Sequence, residues 1–248
     1  MTMRITALWR HPIKSHGREA LQRVSLTEGQ TMPWDRRWAV AHESAKTDGS
    51  AWSPCQNYSR GAKAASLMAI NSQVDQASGQ ITLTHPERDD LTFDPDTQAE
   101  AFLEWVRPLM PEDRAQSAAI HRVPDRGMTD TDYPSVSLIN LASNDAVSAE
   151  LEQDISPLRW RCNIHFDGLP AWEELSWAGK TLRIGTTELS VRDPIVRCLA
   201  TTADPITGTR DADTLGALKR IGDHQHFGIY AVVTKSGDIA TGDTIEVL

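Results

Sequence analysis

The sequence predicts a mainly β (α+β) protein, a barrel or a sandwich, with a few short helices. Three observations carry this reading. Short segments of strand composition recur along the chain, turn residues separate them, and only three segments repeat apolar residues with a helical period. Residues 5–9, 37–41, 80–84 and 91–93 form a first group of strands, and residues 180–184, 188–191, 230–234 and 243–247 a second. Ser236-Gly237 and Thr241-Gly242-Asp243 mark tight turns near the C-terminus. A helix is expected over 96–107, where Asp94 caps, Pro95 stands in the first turn, and Ala99, Phe102, Leu103 and Val106 share one face. A second starts at the capping Ser143 and runs to 153, and a shorter third covers 213–221. Residues 108–134, with four prolines and many charges, read as a connector between two parts, 1–110 and 111–248.

The 248 residues suffice for one large domain or two small ones. No apolar run approaches the roughly twenty residues needed to span a bilayer, and residues 1–11 lack the apolar stretch of a secretory signal. The expected location is therefore cytoplasmic. Three widely spaced cysteines, Cys55, Cys162 and Cys198, predict neither a disulfide framework nor an iron–sulfur cluster held by this chain alone. A net charge of −9 argues against general nucleic-acid binding. A small anionic ligand depends instead on local basic groups, of which Lys14, Arg36, Arg37, Arg161 and Arg197 stand out.

Cys198 is the leading candidate for chemistry. An apolar strand-like run brings it next to Arg197 and ends in the hydroxyl-rich turn Thr201-Thr202-Ala203-Asp204-Pro205-Ile206-Thr207-Gly208. A neighbouring guanidinium favours the thiolate, the form that attacks or binds metal. The turn is expected to bring Thr202 or Asp204 near a substrate. Cys55 and Cys162 lack such surroundings and read as structural thiols. Arg161 and Asn163 alternate on a strand-like segment, which predicts one shared face. His11 with His16, and His224 with His226, lack metal-site spacing and read as exposed loop residues.

Taken together, the motifs resemble the MOSC family, in particular its two-part branch that includes the mitochondrial amidoxime-reducing component. Leu8-Trp9-Arg10-His11-Pro12-Ile13-Lys14-Ser15 resembles the N-terminal "YPVKS" signature, and Trp34-Asp35-Arg36-Arg37-Trp38 is similar to "DR-x-W". Leu138-Ile139-Asn140-Leu141-Ala142-Ser143 resembles the "LISEAS" helix start. Arg159-Trp160-Arg161-Cys162-Asn163 with Trp172-Glu173-Glu174 resembles "RFRPN…WEED". Arg197-Cys198 and the following turn are similar to "RC-xx-TTVDP-x-TG", and Phe227-Gly228-Ile229-Tyr230 with Gly242-Asp243 to the closing "FG-x-Y…GD". Three places depart from the pattern: residues 52–57 do not match "T-x-R-xx-P", Cys162 replaces a proline, and Ile195-Val196 replace a more polar pair.

The resemblance implies an N-terminal MOSC-associated β-rich domain followed by a MOSC β-barrel. It implies a molybdenum cofactor (a phosphorylated pterin carrying molybdenum), with Cys198 as the protein's metal ligand. Lys14, Ser15 and Arg36 would hold the pterin and its phosphate; Arg161, Asn163, Arg197 and Tyr230 would complete the cofactor site. Asp204 would assist proton delivery. The implied activity is reduction of small N-hydroxylated substrates such as amidoximes, hydroxylamines or N-hydroxylated bases, with electrons from a separate iron–sulfur or haem protein. The alternatives are a carrier of molybdenum cofactor, or of sulfur on Cys198, without redox turnover, and a binding module that keeps only the fold.

Overall fold

A single mixed sheet organises the chain. The computed structural model describes residues 2–248. The strands are β1 (Arg4–Arg10), β2 (Glu19–Leu21), β3 (Arg23–Leu26), β4 (Ala39–His42), β5 (Asn71–Val74), β6 (Ile81–His85), β7 (Arg88–Phe93) and β8 (Ser117–His121). They continue with β9 (Val136–Asn140), β10 (Ile164–Asp167), β11 (Thr181–Ile184), β12 (Thr187–Val196), β13 (His226–Lys235), β14 (Gly237–Ala240) and β15 (Ile245–Val247). Three helices, α1 (Ala99–Val106), α2 (Leu141–Leu151) and α3 (Thr214–Gly222), accompany them. The protein is mainly β, and its largest sheet curls into a half-barrel of eight strands, in the order β15-β11-β12-β13-β9-β10-β1-β2.

Neighbours in that sheet are antiparallel except β9 and β10, which pair parallel with Ile164 opposite Leu138. A parallel pair needs a crossover, and α2 lies on it. In β1 the register shifts between Ile5 and Ala7. The irregularity lets Ile5 and Leu8, three residues apart, both face the main core. That core joins them to Val136, Leu138, Phe166, Leu189 and Ile229. Phe166 stacks on Trp177 with ring centroids 5.7 Å apart.

A second core forms around Ile13, Trp38, Leu83 and Phe102, where α1 covers the β5–β6–β7 sheet. A third lies under α2 and α3 around Trp160, Ile195 and Phe227. The sheets cross the boundary expected between residues 110 and 111. β1 and β2 belong to the same sheet as the C-terminal strands, β3 pairs with β14, and β4 pairs with β8. This exchange draws the N-terminal turns against the C-terminal loops and forms the cleft described below.

Sequence and structure differ where local patterns are weak. β9 is buried along its whole length and shows no alternation; with it, the short strands β2, β3, β5, β8, β10 and β14 escape a periodicity reading. The second helix starts at Leu141, because Asn140 caps it by accepting from the Ala142 amide at 3.1 Å. Ser143 is not the cap: its hydroxyl donates instead to the buried Glu174 carboxyl at 2.7 Å. The first helix starts at Ala99 because Asp94 closes a turn ahead of it, accepting from the Asp96 amide at 2.9 Å and the Thr97 hydroxyl at 2.8 Å.

Phe166→Ala, at a fully buried ring, is expected to cost about 3–5 kcal/mol in urea unfolding, whereas Val196→Ala, at an exposed position, changes stability by less than about 0.5 kcal/mol.

Candidate functional site

A cavity of about 210 Å³ opens between the turns of the N-terminal segment and the loops that follow the 3-10 turn Pro157–Trp160 and strand β12. Ser15, Arg36 and Arg161 all line it, and all three are non-glycine residues with left-handed backbone, at φ 64°, 49° and 51°. Such conformations are costly for side chains with a Cβ and gather at functional sites. Here they aim three segments at one space.

The cavity floor carries buried charge. Lys14 donates to the Met128 carbonyl at 2.8 Å and to Asp130 at 2.5 Å. Arg36 donates to the Asp35 carboxylate and, at 2.9 Å, to the Arg161 carbonyl. Asp35 in turn accepts from the His11 amide at 2.7 Å. Arg161 donates to the Gly17 carbonyl at 3.0 Å, but its buried Nη1 has no partner.

Burial and the like charges of Arg36 and Arg18 lower the Arg161 guanidinium to about 9. Burial opposes ionisation of Asp35, yet Arg36 and the hydrogen bonds from His11 hold its carboxyl well below the usual range. Desolvation also opposes the half-exposed Asp130, where Lys14 and Arg36 prevail and hold it at about 2. Three cations thus face two carboxylates, with Arg18 nearby. A guanidinium nitrogen without a partner and an excess of positive charge suit a bound anion.

Cys198 stands exposed at the mouth, immediately before the 3-10 turn Leu199–Thr202. The loop after it is fastened from two sides. Buried Arg159 donates to the carbonyls of Thr201 and Ala203 at 3.1 and 3.3 Å and pairs with Asp211 at 3.2 Å. Arg210 bonds the Thr202 hydroxyl at 2.5 Å and the Ala62 carbonyl at 3.0 Å, and Arg18 links the carbonyls of Met68 and Pro205 at 2.7 and 2.6 Å. At Gly208 (φ 72°) a Cβ would lie 2.7 Å from the Ser66 Cα, so only glycine allows the two segments to approach so closely.

Several expected site residues take other places. Arg197 lines the cavity, but its guanidinium is engaged by groups other than Cys198. It donates to the carbonyls of Phe227 and Trp160, both at 2.8 Å, and to the Cys162 sulfur at 3.1 Å, while packing over the Trp160 and Phe227 rings. Asn163 does not line this cavity or share a strand face with Arg161, which sits in the turn before β10. Its amide instead joins three segments: Oδ1 accepts from the Ser137 hydroxyl at 2.8 Å, and Nδ2 donates to the Trp9 carbonyl at 3.1 Å.

Asp204 also lies outside the cavity lining. Its carboxylate closes its own turn, accepting from the amides of Ile206 and Thr207 at 2.6 and 2.8 Å. Partial burial opposes ionisation there, but those amides keep the carboxyl below its usual range. Tyr230 does line the cavity; burial and Asp130 push its phenol upward, so it stays neutral.

Two readings of the sequence need correction. Cys55 and Cys162 both line the cavity that holds Cys198, and the Cys55 sulfur accepts from Arg60 at 2.9 Å. His11 and His16 are buried rather than exposed. Arg18, Asp130 and Arg210, which help hold the site together, carry no local signal, because each acts on a distant segment. Arg159 stands in the motif Arg159-Trp160-Arg161-Cys162-Asn163, and Cys162 replaces a proline there.

Comparison with known proteins agrees with this fold. The model for the MOSC domain matches residues 125–246, and that for the MOSC N-terminal beta barrel domain matches residues 2–107. The chain belongs to the MOSC family, in its two-part branch. It is 29% identical over 152 residues to the mitochondrial amidoxime-reducing component 1 of Mus musculus, covering 56% of this chain and 44% of that protein. It is 30% identical over 126 residues to the human mitochondrial amidoxime reducing component 2, covering 46% and 37%. With the molybdenum cofactor sulfurase of Drosophila ananassae it shares 34% identity over 113 residues, 44% of this chain and 14% of that one. The chain therefore spans less than half the length of these curated relatives. No helix among the described residues is long and apolar enough to cross a membrane.

The buried histidines set a pH dependence. Burial lowers His16 and His165 to about 4 from 6.5, and His11 moves the same way. Between those values the unfolded chain binds more protons than the folded one, so stability is complete above about pH 6.5 and is lost as pH falls toward about 4. Urea midpoints measured across that window should fall steadily with acidification; a flat profile contradicts the neutral buried imidazoles.

Proposed function

We propose that this chain holds a molybdenum cofactor in the cleft and reduces small N-hydroxylated compounds with electrons from a separate iron–sulfur or haem protein. The observation that carries this reading is the partnerless buried Nη1 of Arg161, amid excess positive charge, below the exposed thiol of Cys198. A phosphorylated pterin supplies the missing negative charge, and an accessible thiolate suits a soft metal centre. The three thiols, none in a disulfide, fit a reducing compartment, and we take the cytoplasm as the place of action. The two parts proposed from sequence, 1–110 and 111–248, each supply a wall.

In this reading Lys14, Ser15, Arg36 and Arg161 hold the phosphate and pterin, and Cys198 ligates the metal. When bound, the cofactor supplies the two-electron chemistry. The balance is R–NHOH + 2 electrons + 2 protons → R–NH₂ + H₂O. The chain's own residues bind and orient. Arg159 and Arg210 fix the loop that carries Cys198, and Arg197 braces the wall through Cys162 and Trp160. Tyr230, neutral across the physiological range, presents a phenolic proton to the cleft. Asp204 no longer suits proton delivery, since its turn engages the carboxylate.

The exposure of Cys198 also fits a carrier of cofactor or sulfur, which must offer its cargo to an acceptor. Metal and pterin content after expression in a cofactor-making host, together with turnover of benzamidoxime by a chemical reductant, separates the readings. The enzyme reading expects near-stoichiometric molybdenum, sustained turnover, and loss of both in Cys198→Ala. Metal without turnover, released to an acceptor, marks the carrier; an empty wild-type chain overturns both cofactor readings.

Arg161→Met should abolish cofactor retention yet lower the stability of the cofactor-free chain by no more than about 1 kcal/mol, because it removes a buried cation that is in excess over the carboxylates around it. Asp204→Asn keeps an acceptor for the turn, and kcat/KM should stay within about twofold. A tenfold loss there would return Asp204 to the chemistry.

A further inference from the structure

A second cavity, of about 430 Å³, shares no lining residue with the first. Its walls are the turn over residues 30–37 and the loop over 122–127. The Met128 amide, donating to the Arg36 carbonyl at 2.6 Å, ties these walls together. Three guanidiniums line the space: those of Arg37, Arg122 and Arg126. Two lining residues, Trp34 and Asp125, adopt left-handed backbone at φ 64° and 60°, and neither is glycine. At Gly127 a Cβ would lie 2.6 Å from the Asp35 carbonyl oxygen, so the two walls meet where a larger residue would force them apart.

Arg37 is the anomalous group. Its guanidinium carbon lies 4.4 Å from the Trp34 ring centroid and 5.3 Å from that of Trp38. Its Nε is buried with no hydrogen-bond partner. Among the described residues it enters no salt bridge; Asp125 lines the same cavity, and the carboxylates of Asp96 and Asp35 are engaged elsewhere. Asp96 accepts from the Trp38 indole at 2.6 Å and from Arg122 at 2.7 Å. Asp35 is held by Arg36 and the His11 amide. Arg126 is largely committed to backbone, donating to the carbonyls of Asp132 and Thr131 at 2.7 and 3.1 Å. Burial and the like charge of Arg122 lower the Arg37 guanidinium and outweigh the opposing charge of Asp96.

We propose that this second cavity is a binding site for a phosphorylated small molecule, with Arg37 as the principal phosphate ligand and Arg122 as its partner. A planar guanidinium already held over two indole rings loses little freedom on gripping an oxyanion through two parallel hydrogen bonds. The cavity exceeds what a bare phosphate fills and falls in the range of small-molecule sites, so the ligand carries a body beyond its phosphate. The assignment is independent of the cofactor reading, because the two cavities have no lining residue in common.

Isothermal titration calorimetry on the full chain tests it, with ribose 5-phosphate, inorganic phosphate and ribose as probes. The site predicts saturable binding of ribose 5-phosphate, weaker binding of inorganic phosphate and none of ribose. Arg37→Gln should weaken binding at least about tenfold, while Arg161→Met, in the first cavity, leaves it within about twofold. Arg122→Gln, at a half-exposed side chain, gives a second variant should Arg37→Gln fail to fold. Absence of saturable binding overturns the proposal. So does binding that survives Arg37→Gln, or Arg122→Gln in its place, and disappears in Arg161→Met, since the anion would then occupy the first cavity. Equal affinity for ribose 5-phosphate and inorganic phosphate overturns the larger ligand.

Discussion

The double engagement of Arg36 is the contact on which the site depends. One end of its guanidinium meets the Asp35 carboxylate and the other the Arg161 carbonyl, 125 residues away in the chain. Asp35 is fully buried, and a carboxylate in that position survives only with a cation and hydrogen-bond donors around it. Arg36 is that cation and also sets the strained turn of Arg161. The order matters physically. Without Arg36, Asp35 is an unpaired buried charge and the Arg161 turn loses its clamp, so the fold and the cleft depend on the same ion pair.

Around this pair the protein keeps more positive than negative charge away from water. Such an arrangement costs stability in the empty chain, which is why burial and repulsion depress Arg161. The same penalty becomes an advantage when an anion arrives, because the desolvation and the ordering of the side chains are already done. The loop bearing Cys198 follows a similar logic. Arg159, Arg210 and Arg18 all bind carbonyls of the 199–205 segment, so its backbone is fixed while the thiol at its start remains exposed. Rigidity below and access above are what a ligand residue for a bound centre requires.

The second cavity repeats this theme within a few residues of the first. Arg36 and Arg37 are adjacent, and successive side chains on a sharply turned backbone point to different spaces. One is neutralised by Asp35; the other lies over two aromatic rings. The turn over residues 34–37 therefore contributes a cation to each of two cavities, and the left-handed conformations of Trp34 and Arg36 produce that divergence.

The β-rich class, the three helices and the thiol at position 198 were legible in the sequence, because they rest on short-range properties: alternation, helical period, caps and turn residues. The family motifs likewise marked Lys14, Ser15, Arg36 and Arg161, which do converge on one cavity. What adjacency suggested about Arg197 and Cys198 failed, since neighbouring side chains on an extended backbone face opposite ways, and the guanidinium meets Cys162 instead. Asp204 and Asn163 had suitable chemistry, but hydrogen bonds to their own turn and to neighbouring segments use it. The burial of His11 and His16, the exchange of strands across the middle of the chain, and the meeting of three distant cysteines in one cleft were decided by tertiary structure alone. Each depends on contacts between segments tens to hundreds of residues apart, and no local pattern in the chain encodes which distant segment will be the neighbour.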